Sequence, residues 1–273
     1  MITVVTRFAP SPTGRLHLGH AFSALMAFRF AEAHGGRFLL RIEDIDTGRC
    51  RPEFVDGIFE DLVWLGLAWE APVRRQSEHM ADYAAALARL QAAGVAYPCF
   101  CTRADIAAAA TAPHGMQALY PGTCRALDAQ TRAGRMAEPH AWRLDVHRAA
   151  AIAGPLSWHD AAEREIAATP EAEGDVVLAR KDAGTSYHLS VTVDDALQGV
   201  TDIVRGEDLF SATHIHRLLQ ALLGLPTPRY HHHPLLTGPD GKRLAKRDRA
   251  ETLAELRARG VPPEVIKHQL GFA

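Results

Sequence analysis

The hydrophobic positions change period along the chain, and each change predicts an element. Ile2–Phe8 is a short β-branched run and predicts a strand. From Leu18 the apolar residues Leu18, Phe22, Leu25, Met26 and Phe30 recur at helical spacing. His34-Gly35-Gly36 stops that helix, with glycine supplying a left-handed cap. Phe38–Ile42 is the next apolar strand. Strand, helix and strand within about 40 residues make a βαβ unit, which requires parallel strands and a right-handed crossover.

Pro52–Leu65 reads as a helix, and Ser77 is placed to cap a long helix that runs to Ala93 before Gly94. Residues 98–170 change character, with three cysteines, Pro/Gly punctuation and Ala-rich pieces, as in an insertion. Asp175–Arg180 and Val200–Arg205 return to strand patterns, and Thr213–Leu223 to a helical one. Leu235–Asp248 is a glycine-punctuated basic loop, and Glu251–Arg259 and Pro263–Leu270 form a helical tail. The expected architecture is α/β, a Rossmann-like parallel sheet. Its first half falls in residues 1–97, an insertion in 98–170, its second half in 171–236, and the loop and tail in 237–273. In such open sheets ligands bind beyond the carboxyl ends of the strands.

Composition narrows the class. The 273 residues, 47% of them hydrophobic, suffice for a sizeable core in one or two domains. A net charge of -2 argues against a general polyanion binder, so any nucleic-acid contact has to come from local basic surface. The opening MITVVTRF lacks the basic-then-apolar order of a secretion signal, and no run reaches membrane-spanning length. These features predict a cytoplasmic protein without a membrane partner, and a monomer is the favoured state.

The densest chemistry lies in RFAPSPTGRLHLGH, residues 7–20, between the first strand and the first helix. A helix N-terminus presents unpaired N–H groups and positive potential, which suit phosphates. His17 and His20 share a helix face and can donate hydrogen bonds to phosphoryl oxygens. Gly19 leaves room for a flat base against the backbone, and Pro10 and Pro12 stiffen the approach. An isolated HxxH more often only caps or packs; Arg7, Ser11 and Gly14 alongside weigh against that here. The stretch is not the GxGxxG pattern of nicotinamide enzymes.

These residues resemble the signature of class I aminoacyl-tRNA synthetases, in the form of the glutamyl branch. RIEDID at 41–46, SYHLSVTVDD at 186–195, VRGEDL at 204–209 and DGKRLAKR at 240–247 follow in that family's order, so the resemblance covers nearly the whole chain. It implies ATP and L-glutamate as substrates. Glutamate carries two carboxylates and one ammonium, so its site needs two cations and one anion. Arg7 and Arg205, at predicted strand ends, suit the carboxylates, and Glu43 suits the ammonium. Ser11 and Tyr187 can add hydroxyl contacts. The resemblance implies Arg7, Ala9, Ser11, Glu43, Tyr187 and Arg205 for glutamate, and His17, Gly19, His20 and Lys246 for ATP. Singly, each charged residue would more often be an exposed ion-pair member.

GPDGKRLAKRD resembles the second class I signature, a lysine loop, with Lys246 at the ATP-contacting position and Lys242 as an auxiliary. A mobile lysine there stabilises charge developing on the α-phosphate in the transition state. His17, His20 and Lys246 are thus the expected catalytic residues, and Mg2+ accompanies ATP. Alone, the segment would read as a solvated turn at Asp240-Gly241. Ala245 stands where the family usually has serine, a departure that keeps a non-catalytic paralogue in view. His231-His232-His233 is expected as a strand edge before the loop, with one imidazole satisfied inside rather than holding a metal.

Cys99, Cys101 and Cys124 form a sulfur-rich cluster in CFC and YPGTC, and such spacing points to a structural zinc rather than to disulfides. His114 is the ordinary chemical choice for a fourth ligand; the family resemblance implies Tyr120. Cys50 has no visible partner. The chain ends soon after the lysine loop, where ordinary glutamyl-tRNA synthetases continue into an anticodon-binding part. That truncation resembles the glutamyl-queuosine tRNA(Asp) synthetase family, which implies transfer of glutamate to the queuosine base of tRNA(Asp). Ordinary 3′-end charging and a small nucleotidylyltransferase are the rival expectations.

Overall fold

The computed structural model describes residues 3–102, 104–106, 119–161, 164–236 and 251–272. Strand β1 (Val5–Phe8) leads through the first loop into the helix Leu18–Ala33, and β2 (Arg37–Ile42) follows. The helix buries Ala21, Ala24, Leu25, Ala27 and Ala31. Its small inward residues let it lie close on the strands. The turn needs both glycines: Gly35 has φ 58°, and a Cβ at Gly36 would collide with the Val4 carbonyl oxygen.

β1 pairs in parallel with β2, and β2 with β3 (Glu70–Arg75), a strand that the hydrophobic pattern does not reveal. β4 (Ala96–Cys99), β5 (Ala141–Leu144) and β8 (Val177–Ala179) form a separate antiparallel sheet that carries the cysteine region. The remaining sheet runs β7 (Arg164–Ala167), β6 (Ser157–Asp160), β10 (Arg229–His233), β9 (Asp202–Gly206). Within it β9, β10 and β6 are parallel, and only β7 is antiparallel. The β1–β3 sheet and the four-stranded sheet meet where Thr201 N donates to Val5 O at 3.0 Å and Val5 N donates to Thr201 Oγ1 at 2.8 Å. β1 and β9 are therefore neighbours at the point where chain order reverses, the place where open α/β sheets bind ligands.

Several expected details are corrected. Ser77 caps no helix: its N–H and hydroxyl both go to Asp44, and the helix Met80–Ala92 starts after a 3-10 turn at Gln76–Glu78. The His231–His233 strand is not a sheet edge, because β10 lies between β6 and β9. β6, inside the stretch expected as an insertion, joins the main sheet beside β10. The tail is the two short helices Leu253–Ala258 and Pro263–Gln269, whose Leu253, Leu256, Ile266 and Leu270 enter the core beneath the first helix. Lys242, Ala245, Lys246 and His114 lie outside the described residues.

Candidate active site

A cavity of about 350 Å³ opens at the carboxyl ends of β1 and β9. Arg7, Ala9, Ser11, His17, Gly19, His20, Glu43, Tyr187 and Arg205 all line it. Every described residue expected to bind glutamate or ATP thus meets in one place. Val204, Gly206 and Leu209 come from the end of β9, and Leu235 and Leu236 from the segment after β10.

The wall that holds Arg7 and Glu43 is a buried ion cluster. Arg7 Nε donates to Asp195 Oδ1 at 3.0 Å. Arg41, fully buried, donates to Asp195 at 2.8 Å, to Glu43 at 3.1 Å and to Gln198 at 3.0 Å. Burial opposes ionisation of Asp195, yet Arg7 and Arg41 hold its carboxyl below the usual range. Glu43 goes the other way: burial outweighs Arg41 and Arg7 and pushes its carboxyl up. An ammonium group beside Glu43 would restore its charge. Asp194 ties the same cluster to Arg74, Gln76 and Tyr83 at 2.7–3.0 Å. Sequence reading overlooked Arg41, Asp194 and Asp195; the signal was there in three charges inside runs otherwise apolar enough to be buried.

On the β9 side of the cavity, Arg205 has neutral hydrogen-bond partners among the described residues. Arg205 is 5% exposed. It donates to Thr213 Oγ1 at 2.6 Å, Leu209 O at 3.1 Å, His232 Nε2 at 3.2 Å and the Tyr187 hydroxyl at 3.5 Å. It also contacts His216 Nδ1 at 3.4 Å and lies over the Tyr230 ring, 5.3 Å from its centroid. Among the described residues it forms no ion pair. Burial and the Arg205 charge hold His216 well below its ordinary pKa and His188 at about 4, so both imidazoles are neutral. Burial also pushes the Tyr187 phenol up, which keeps its hydroxyl protonated. A buried cation without a counter-charge is costly until an anion enters.

His17 and His20 do cap the first helix. Gly19 N donates to His17 Nδ1 at 3.1 Å, and His17 N donates to His20 Nδ1 at 3.2 Å. In a neutral ring this places the proton on Nε2, so capping sets the donor rather than competing with phosphate binding. A Cβ at Gly19 would sit 3.0 Å from His17 Cε1, so the glycine leaves room for the imidazole. The residues flanking 237–250 adjoin the same site. Leu236 lines the cavity, Thr252 bridges to His17, and Leu253 N donates to Leu16 O at 2.9 Å.

Away from the cavity, the sulfurs of Cys99, Cys101 and Cys124 lie within 4.8 Å of one another. The Tyr120 hydroxyl sits 3.4 Å from Cys99 Sγ and 3.6 Å from Cys101 Sγ. Ligand atoms around one tetrahedral zinc are about 3.8 Å apart at Zn–S bonds of about 2.3 Å, so this donor set fits such an ion. Although burial opposes it, Tyr120 and the Phe100 N–H hold the Cys124 thiol below its ordinary pKa. Cys50 lies outside the group. His231 and His232 contact Asp202 and Asp160, each at 2.9 Å.

The family model for class I tRNA synthetases (E and Q), catalytic domain, matches residues 3–272. A glutamyl-Q tRNA(Asp) synthetase of Rhodobacter capsulatus is 50% identical over 282 residues, covering 98% of this chain and 100% of that protein. One of Symbiobacterium thermophilum is 46% identical, covering 97% and 85%. Among solved structures, glutamate-tRNA synthetase from Elizabethkingia anophelis superposes with a TM-score of 0.84 at 27% identity. A glutamate tRNA ligase from Elizabethkingia meningosepticum, in complex with its amino acid, does so with 0.80 at 27%. The chain is covered to 98% in both, and spans 61% and 60% of those longer chains.

Proposed function

The chain belongs to the catalytic-domain family of class I tRNA synthetases (E and Q), and on that premise we propose that it activates L-glutamate with ATP and transfers it to queuosine in tRNA(Asp). The observation that carries the glutamate assignment is the charge layout of the cavity. Among the described residues Arg205 lines it without an ion pair, Arg7 adds a second guanidinium, and Glu43 offers the anion for an ammonium.

In the first step a glutamate α-carboxylate oxygen attacks the α-phosphorus of Mg2+–ATP. The bond to the β-phosphate oxygen breaks, leaving glutamyl-adenylate and pyrophosphate. His17 and His20 donate from Nε2 to phosphoryl oxygens, and the first helix N-terminus adds its potential. Lys246 stabilises the charge developing on the α-phosphate. In the second step a hydroxyl oxygen of the queuosine cyclopentene ring attacks the acyl carbon, forming an ester and releasing AMP. Glutamate binding falls to Arg7, Ala9, Ser11, Glu43, Tyr187 and Arg205.

Cys99, Cys101, Cys124 and Tyr120 would hold a structural zinc, which would cross-link β4 to the 120–124 segment and take no part in the reaction. Among the described residues no helix is long and apolar enough to cross a membrane, and we assign the reaction to the cytoplasm.

Purified protein should exchange pyrophosphate into ATP in a glutamate-dependent way without tRNA. It should then charge queuosine-containing tRNA(Asp) and not the queuosine-lacking form. Equal acceptance by both tRNAs would replace the queuosine assignment with 3′-end charging.

A further inference from the structure

Among the described residues Arg205 is linked to a carboxylate only through an imidazole. His232 Nε2 accepts from Arg205 Nε at 3.2 Å, and the Thr213 hydroxyl oxygen lies 3.4 Å from the same nitrogen. Arginine has no acceptor and keeps its protons, so Nε2 must be the unprotonated nitrogen. The ring proton is then on Nδ1, which donates to Asp160 Oδ1 at 2.9 Å. That same oxygen accepts from the His232 backbone N–H at 3.2 Å. The order Asp160, His232, Arg205 is thus a directed chain in which each bond fixes the next.

The chain is built into the sheet. Asp160 ends β6, His232 is in β10 beside it, and Arg205 pairs with His232 across β9–β10. Asp160 is 4% exposed, and its nearest cation, Arg164, stays 3.9 Å away. Ala161, directly after it, has φ 23°, a left-handed value that a non-glycine residue adopts only when its surroundings impose it. Trp158, Phe210 and Tyr230 pack around the His232 ring within 6.0 Å. Burial and Arg205 hold His232 at a pKa of about 4, against the pull of Asp160, so the ring stays neutral and keeps its acceptor.

We propose that Asp160 is a positioning residue for Arg205, acting through His232, so that the guanidinium is aimed at the cavity before its carboxylate ligand arrives. The inference rests on the reading of Arg205 as a glutamate-binding residue. Without Asp160 the His232 ring loses its anchor and can turn, Arg205 Nε loses a fixed acceptor, and substrate must order the guanidinium on binding. Neither Asp160 nor His232 lines the cavity, so both act through Arg205.

Nitrogen-15 imidazole spectra of the intact protein test the first link, with the His232 signals identified by their loss in His232→Phe. The expected form carries the proton on Nδ1 with Nε2 bare; an Nε2–H form overturns the proposal. Glutamate-dependent pyrophosphate exchange tests the second. Asp160→Ala should raise KM for glutamate about tenfold, the scale of one lost hydrogen bond to a charged group, and leave KM for ATP within about twofold. Asp160→Asn, which retains the oxygen acceptor, should keep KM for glutamate within about threefold of wild type. In a His232→Phe background the Asp160→Ala effect should vanish, because the intermediary is gone.

An Asp160→Ala effect that persists in that background, or that moves both KM values together, makes Asp160 a merely structural residue. Should Asp160→Ala not fold, a selective loss in Asp160→Asn as large as in His232→Phe overturns the acceptor role. If wild type shows no glutamate-dependent exchange, the functional reading falls, and the His232 tautomer alone decides the Asp160 chain.

Discussion

Arg7 is paired with Asp195 through two hydrogen bonds, at 3.0 and 3.4 Å, before any ligand enters. Arg205, lining the same cavity from β9, has neutral hydrogen-bond partners among the described residues. The two arginines were interchangeable in the sequence and are not so in the fold. The proposed glutamate gains most from Arg205, whose charge is uncompensated, and less from Arg7, whose charge is shared.

Arg205→Ala should therefore raise the glutamate requirement by about 100-fold or more, as expected for loss of a buried charge-assisted contact, with the ATP requirement little changed. Steady-state exchange kinetics give both values. An unaltered glutamate requirement would remove Arg205 from the substrate site.

Gly19→Ala tests the nucleotide side. The added methyl would press on the His17 ring at 3.0 Å. Displacing that Nε2 donor should raise KM for ATP about tenfold while the glutamate requirement stays within about twofold. A purely structural effect would instead lower thermal stability and spare the ATP requirement.

Lys246→Ala should slow adenylate formation by about 100-fold or more with modest loss of glutamate binding, because its role is confined to the transition state. Single-turnover formation of adenylate, alongside equilibrium glutamate binding, separates the two. Equal losses in both contradict the role.

The cysteine cluster should carry about one zinc per chain, and a chelator that removes it should lower the unfolding temperature. Cys99→Ala should abolish retention of the metal, whereas Tyr120→Phe should only loosen it. Elemental analysis of the purified variants checks both; full retention in Tyr120→Phe would move the fourth ligand elsewhere.

A pH effect follows from Asp61. Its side chain is wholly buried, both oxygens lack hydrogen-bond partners, and Arg257 stands 3.4 Å away. Burial raises its pKa from 3.8 to about 6, more than Arg257 lowers it. The native state therefore binds a proton that the unfolded chain has lost between those values, so this group's contribution falls as pH rises through that window. Asp61→Asn should be more stable than wild type at pH 7, and the advantage should shrink toward zero near pH 4, the unfolded carboxyl range. Urea unfolding at several pH values measures the difference; a constant gap would show that Asp61 ionises normally.

Much of the site could be read from residue types at loop positions. Arg7, Ser11, His17, Gly19 and His20 are close in the chain, so local spacing already brings them together. The first βαβ unit was equally visible, since its strands are buried runs, although its helix buries Ala21, Ala24, Ala27 and Ala31 with Leu25 while Leu18, Phe22, Met26 and Phe30 are only partly buried. β3 was not, because EAPVRR has neither apolar alternation nor β-branched enrichment; it is held by pairing with β2. Ser77 was misread as a cap because the sequence does not show that Asp44, 33 residues away, takes its hydroxyl.

The sequence by itself determined which chemical groups are present, two guanidiniums, a carboxylate and a histidine-bearing helix start, because these follow from residue identity and short-range spacing. Only the tertiary structure decided how their charges are shared. Asp195 lies 188 residues from Arg7, and Asp160 reaches Arg205 through a ring on a third strand. Electrostatic strength depends on distance and burial in space, and neither is a property of position along the chain.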